Sequence, residues 1–338
     1  MFLWDLDKKL QELQTKKKAV IALGCSFVQG QGAWTSEFVK KNSLNIEVQG
    51  NMMMLKYKSP ELAKQKTDEL LLEYTSLIRA NDEKRVFVAD IDFSAMENEN
   101  SFVEVLCRRY MPDYVPLNFG MRGNGNRATI MQLFRFPEIN FSELEDIVVL
   151  FLPSGLERFD FASQRPNGEH FTHITVWPHW ESEHIRGTTK DLWKGYAFDI
   201  FSDYSTLFEY LDNVNVLETW CKLHKASLFI FPAFTYDITK ENFRNIINST
   251  HSYDDRHKER NLSLVDSYPW EKHIELNGTK TFSMFTNLLE NGNTRERGYW
   301  HNFGKGSPNG YWSKCAHPTD KAHAQLAKHL YRYIKNAI

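Results

Sequence analysis

The four cysteines, Cys25, Cys107, Cys221 and Cys315, are scattered and include no CxxC pair. That distribution excludes a disulfide framework and a thiolate zinc site, and fits a reducing compartment. No apolar run reaches the roughly 20 residues that span a bilayer. Neither charge sign dominates: 41 Lys and Arg against 43 Asp and Glu leave a formal net charge of −2. No global field therefore favours nucleic acid, and the short basic run Lys16-Lys17-Lys18 reads as a solvated face. Phosphate loops are missing too. No GK[ST] follows a strand, the glycines do not fit GxGxxG, and no acidic ribose partner is in place, which argues against a nucleotide-binding protein. The N-terminus lacks the apolar core of a signal peptide: Leu3, Leu6, Leu10 and Leu13 recur at helical spacing among charges. Internal repeats and low-complexity segments are absent. The expectation is a soluble cytoplasmic protein with no membrane partner, cofactor or metal.

What remains is a globular composition. With 42% hydrophobic residues over 338 positions, the chain can bury a large core without staples. Aromatics reach 14%; most read as core, while exposed Trp and Tyr would offer stacking faces.

After the first helix, Ala19-Val20-Ile21-Ala22-Leu23 is a continuous apolar run ended by Gly24, the pattern of a strand buried on both faces. Residues 35–100 read as an insertion holding one helix, with Ser59 as N-cap and Pro60 at its first position, running towards Ala80. Ser101-x-x-Glu104 has capping-box form and opens a helix through about Tyr110. Tyr114–Asn118, Ile147–Leu152 and Ser227–Phe231 follow as strands, and Ala128–Phe134 as a helix. The last helix starts near Pro318 and places Ala322, Leu326, Leu330 and Ile334 on one face. Its C-terminal end carries Lys328, Arg332 and Lys335, where cations suit the macrodipole. Residues 162–200 break the rhythm and read as an inserted loop. Strand, turn and helix alternate as in a doubly wound, flavodoxin-like parallel α/β sheet, here a single domain over 1–338.

Three constellations carry chemistry. Ser26 sits in Gly24-Cys25-Ser26-Phe27, at the C-terminal end of the first strand, where ligands bind in open α/β sheets. A serine on such a turn is exposed, and nearby amides can point at a developing oxyanion. Adjacent Cys25 reads as a packed thiol. Gly120-Met121-Arg122-Gly123-Asn124-Gly125-Asn126 is a polar loop whose glycines allow close backbone approach, and it reads equally as an ordinary strand-to-helix connection. His317-Pro318 precedes the final helix, and His is the usual general base near neutral pH. His170, His173, His179 and His184 match no zinc spacing. With Trp177 and Trp180 they belong to a structural hairpin or to a loop lining a cleft, where the Trp faces would meet sugar rings.

The order of these three segments resembles the SGNH (GDSL-like) hydrolase family. Gly24-Cys25-Ser26-Phe27 is similar to its first block, with Cys25 in the Asp position. Asn118-Phe119-Gly120-Met121-Arg122-Gly123-Asn124 looks like its second block, with Gly123 the oxyanion glycine. His317-Pro318-Thr319-Asp320-Lys321-Ala322-His323 looks like its last. The GCSF form and Leu152-Pro153-Ser154-Gly155-Leu156-Glu157-Arg158-Phe159 are most like the SGNH-type proteins of tailed bacteriophages. Two positions depart: Lys314 stands where the family keeps its triad Asp, and Ser154 or Gly155 stands where a third block supplies Asn. Asp320-x-x-His323 repeats the DxxH spacing, inside the last helix.

The resemblance implies an esterase or deacetylase acting on a glycan or small-molecule O-acyl ester. Ser26 would be the nucleophile and His317 the base, with Ser26, Gly123, Asn124 and Ser154 around the oxyanion. The competing expectation is an inactive relative: a phage structural or carbohydrate-binding protein, partnered by particle proteins, in the host cytoplasm or the virion.

Overall fold

The computed structural model describes residues 5–30, 33, 46–49, 52–57, 76–81, 86–91, 94–121, 123–156, 158–164, 171–176, 188–196, 202–231, 238–249, 255–273, 317–336 and 338. Among them is a mixed α/β arrangement built on a four-stranded parallel sheet. Helix α1 (Leu6–Lys16) leads into strand β1 (Lys18–Leu23), and the short helix α2 (Ser26–Gln29) follows at once. Strands β2 (Ile46–Gln49), β3 (Met52–Tyr57), β4 (Ser76–Asn81) and β5 (Val86–Ile91) pair in a separate antiparallel sheet, in the order β2-β3-β5-β4. Next come α3 (Ser94–Glu99), α4 (Phe102–Tyr110), β6 (Val115–Asn118), α5 (Asn126–Ile130) and β7 (Asp146–Phe151). Strands β8 (Phe159–Gln164) and β9 (Phe171–Val176) form a hairpin. Helices α6 (Thr188–Gly195) and α7 (Asp203–Leu223) lead to β10 (Ser227–Ile230). Helices α8 (Lys240–Ser249), α9 (Asp255–Ser267) and α10 (Asp320–Ile334) complete the described elements.

The parallel sheet runs β10-β7-β1-β6, with β1 in the middle between β6 and β7. Its strands are apolar at nearly every position because both faces are covered. Ala19, Ile21 and Leu23 of β1 and Ile147, Val149 and Phe151 of β7 enter one core with α7, α8 and α9. Val20, Ala22, Val148 and Leu150 enter the other with α4 and α10. Helices on both faces of a parallel sheet are compatible with double winding. Among the described residues, no helix is long and apolar enough to cross a membrane.

Two sequence expectations need correction. The helix expected from Ser59 towards Ala80 cannot extend that far, because Ser76–Asn81 is strand, paired with Val86–Ile91; residues 58–75 lie outside the described residues. Leu77, Ile78 and Ala80 serve a helix or a strand alike, and the β-rich partner Val86-Phe87-Val88, distant in sequence from the supposed helix start, decides between them. Residues 162–200, expected as an inserted loop with a structural hairpin as one reading of its His and Trp residues, hold most of the β8–β9 hairpin and also helix α6.

The capping box at Ser101 is a third correction. Helix α4 begins where expected, but Ser101 makes no side-chain cap bond, and its buried Oγ has no hydrogen-bond partner among the described residues. Glu104 instead receives a hydrogen bond from Lys9 Nζ at 2.8 Å, tying α1 to α4. The first-turn amide of Phe102 donates across the fold to His323 Nδ1 at 3.1 Å. The His323 ring also stacks on Phe102, with centroids 6.1 Å apart. One α10 residue thus caps α4, and Leu326, Leu330 and Ile334 bury the rest of that face. Each such side chain contributes roughly 1.5–3 kcal/mol.

Burial, and secondarily the neighbouring His317, pushes His323 down from 6.5 to about 3. Below pH 6.5 the unfolded chain therefore takes up a proton that the folded chain refuses. This costs nothing well above 6.5 and lowers stability as pH falls towards 3, by up to about 1.4 kcal/mol per unit. His323→Gln keeps an acceptor for Phe102 and removes the titration. Urea unfolding followed by circular dichroism should show the variant losing roughly 2 kcal/mol less than wild type between pH 6.5 and 4.5. Parallel curves would show that His323 does not titrate on unfolding.

Candidate active site

Three loops meet at the C-terminal edge of the parallel sheet, and backbone hydrogen bonds hold them in register. Phe119 N–H donates to Ala22 at 2.9 Å, Met121 N–H to Gly24 at 3.1 Å, and Leu152 N–H to Leu23 at 2.9 Å. Asn118, the last residue of β6, donates from Nδ2 to the Val28 carbonyl at 3.0 Å and accepts the Gly120 amide on Oδ1 at 3.0 Å. Gly120 lies so close to α2 that a Cβ there would stand 2.2 Å from Gln29 N. Only glycine permits that approach.

Ser26 opens α2 directly after the β1 turn. Its amide is at the helix N-terminus, without an intrahelical acceptor. The Ser26 Oγ and His317 Nε2 atoms are 2.9 Å apart, joined across 291 positions of sequence. In the tautomer carrying its proton on Nδ1, His317 accepts from the Ser26 hydroxyl. Both residues are buried, and the Phe27 ring packs on the imidazole with centroids 5.1 Å apart. Thr319 caps α10 by accepting the Ala322 amide, and so fixes the helix start, Asp320, three residues after His317. Cys25 is buried in the α4–α10 core.

The other candidates divide. Gly123 is exposed, with φ +78, and a Cβ there would meet no atom within 4 Å. A positive φ turns its peptide units in a way side chains resist. Asn124 is buried, and its Nδ2 finds no hydrogen-bond partner among the described residues. An orphan donor of this kind, costing about 1–3 kcal/mol, calls for a functional reason. Ser154 is already engaged: its amide donates to Asn126 Oδ1 at 2.7 Å and its hydroxyl to the same oxygen at 3.2 Å. The bond that was to reach an oxyanion instead braces two loops. Trp177, Trp180, His170, His179, His184 and Lys314 lie outside the described residues, as does the side chain of His173. Among the described residues, no group of three or more His, Cys, Asp or Glu side chains is placed to hold a metal ion.

Sequence reasoning missed Asp160. This buried β8 carboxylate accepts Gly125 N–H at 3.0 Å and Ala128 N–H at 2.8 Å, and so caps α5 from a distant strand. Nearby Arg158 donates to the Asn124 carbonyl at 3.2 Å. The only hint was local: Gly125 at the N-cap position brings no side chain of its own. Comparison with known protein families, curated proteins and solved structures returned no match to this chain.

Asp160→Ala would leave two buried amides at the α5 N-terminus without acceptors. Loss of about 2 kcal/mol is expected in urea unfolding, with Asp160→Asn intermediate because it keeps one acceptor oxygen. Equal stability of the alanine variant and wild type would show that the cap contributes nothing.

Proposed function

We propose that the chain is a serine ester hydrolase of the SGNH type, cleaving an O-acyl ester. The observation that carries this reading is the buried 2.9 Å contact between Ser26 Oγ and His317 Nε2 at the C-terminal edge of a parallel sheet. In chain order the four parallel strands stand 2-1-3-4, which supports a flavodoxin-like sheet with the site beside its switch point. The carbohydrate O-acetyl ester is what the family resemblance implies.

In this mechanism His317 Nε2 takes the hydroxyl proton as Ser26 Oγ attacks the acyl carbonyl. The new C–O bond moves the carbonyl electron pair onto oxygen. The amides of Ser26 and Gly123 and the orphan Asn124 Nδ2 are the donors assigned to that oxyanion. His317 then returns the proton to the departing alkoxide, leaving acyl-Ser26 and free alcohol. Water, deprotonated by His317, attacks the acyl group and regenerates Ser26 with release of the carboxylic acid. His323, held neutral by burial, adds no charge to oppose the imidazolium that forms.

The engagement of Ser154 by Asn126 favours a second reading. Removing one oxyanion donor costs about 10²–10³ in rate, so an inactive descendant, a phage structural or carbohydrate-binding protein, would keep this geometry without turnover.

Intact-mass labelling with a fluorophosphonate separates the two. The hydrolase reading expects one adduct on wild type, none on Ser26→Ala, and strong loss on His317→Ala. It also expects Asn124→Ala to hydrolyse p-nitrophenyl acetate about 100-fold more slowly with unchanged folding. A folded wild type that takes no adduct would overturn it and leave the binding protein.

A further inference from the structure

A cavity of about 500 Å³ opens between α5, β8, the end of α6 and α7, and neither Ser26 nor His317 lines it. Phe159 and Tyr196 form one wall, their rings stacked with centroids 5.2 Å apart. Met131 and Val216 stand at the surface, 37% and 47% exposed, large apolar side chains left partly in water. The polar lining includes Arg127, Glu209 and Asp212. Among the described residues, the side chains of these three make no hydrogen bond or ion pair.

The charges do not balance. Glu209 and Asp212 on α7 face Arg127 on α5, and Asp160 on β8 adds a further negative charge close enough to act on Glu209. Glu209 is pushed up to about 7, first by burial, then by Asp160, against the opposing pull of Arg127, with Asp212 adding to the rise. Arg127, together with Arg135 acting on Asp160, leaves the three carboxylates in excess. A cation inside the cavity would relieve that excess, and aromatic faces attract cations at close range. Apolar walls favour a cation that carries hydrocarbon over a hydrated metal ion.

We propose that this cavity binds an organic cation, an alkylammonium or quaternary ammonium group, held by Glu209 and Asp212 against the Phe159–Tyr196 wall. Binding then requires ionised Glu209, so affinity rises as pH passes upward through the Glu209 titration and a proton is released on binding below it. The site is independent of any ester hydrolysis at Ser26.

Isothermal titration of the full chain with choline and with 1,5-diaminopentane, at pH 6, 7 and 8, tests this. At least one cation should bind at least fivefold more tightly at pH 8 than at pH 6. Glu209→Gln should weaken that binding about tenfold and abolish its pH dependence, with unchanged circular dichroism. For choline, its uncharged isostere 3,3-dimethyl-1-butanol should bind at least tenfold more weakly. Asp212→Asn, on the same helix, is the second variant should Glu209→Gln fold poorly, and it too should weaken binding. No binding of either cation at 10 mM, equal binding of the isostere, or pH-independent affinity would overturn the proposal.

Discussion

A single contact, Ser26 Oγ to His317 Nε2 at 2.9 Å, depends on nearly everything else in the described fold. Its partners come from opposite ends of the chain, so neither local propensity nor a short loop can bring them together. The parallel sheet fixes Ser26 by burying β1 between β6 and β7. His317 is fixed less directly, through the docking of α10 on α4. That docking is apolar along Leu326, Leu330 and Ile334 but has one polar contact, the Phe102 amide on His323. Burial supplies most of the free energy and little direction. The hydrogen bond supplies direction, because α10 cannot slide by a turn without leaving the α4 amide unpaired.

The loops around this contact are braced in the same manner. Asn118 joins the β6 loop to α2, Asn126 joins it to the β7 loop, and Asp160 closes it against the β8 hairpin. Each brace satisfies buried backbone groups that no regular element could satisfy. Asn124 is the exception: it sits in the same loop, buried, with a donor left over. Side chains that complete a scaffold and a side chain that holds a donor in reserve are thus distinguishable by their hydrogen bonding, although all are Asn or Asp.

This division explains how much was legible in the sequence. Strands β1, β6, β7 and β10 could be read because their apolar runs are continuous and their ends are marked by Gly, Asn or Pro. Ser26 and His317 could be singled out because one follows such a run and the other precedes a strongly periodic helix. Asp160 could not, because nothing in Arg158-Phe159-Asp160 refers to Gly125, and the pairing exists only after the hairpin folds back. The partners of Ser154 were hidden for a related reason. Its position argued for a donor, and only the fold shows that Asn126 reaches both of its hydrogens. Helix against strand at Ser76–Asn81 failed for want of a local distinction, since strand β5 makes the decision.

Asp160 also links the site to the rest of the molecule. Its oxygens hold the two amides at the start of α5, so it determines where the loop bearing Gly123 and Asn124 ends. The same charge is the second cause, after burial, of the raised Glu209 carboxyl in the α5–α7 cavity. One carboxylate therefore does two things at once: it holds the loop at the sheet edge and adds to the negative field on Glu209.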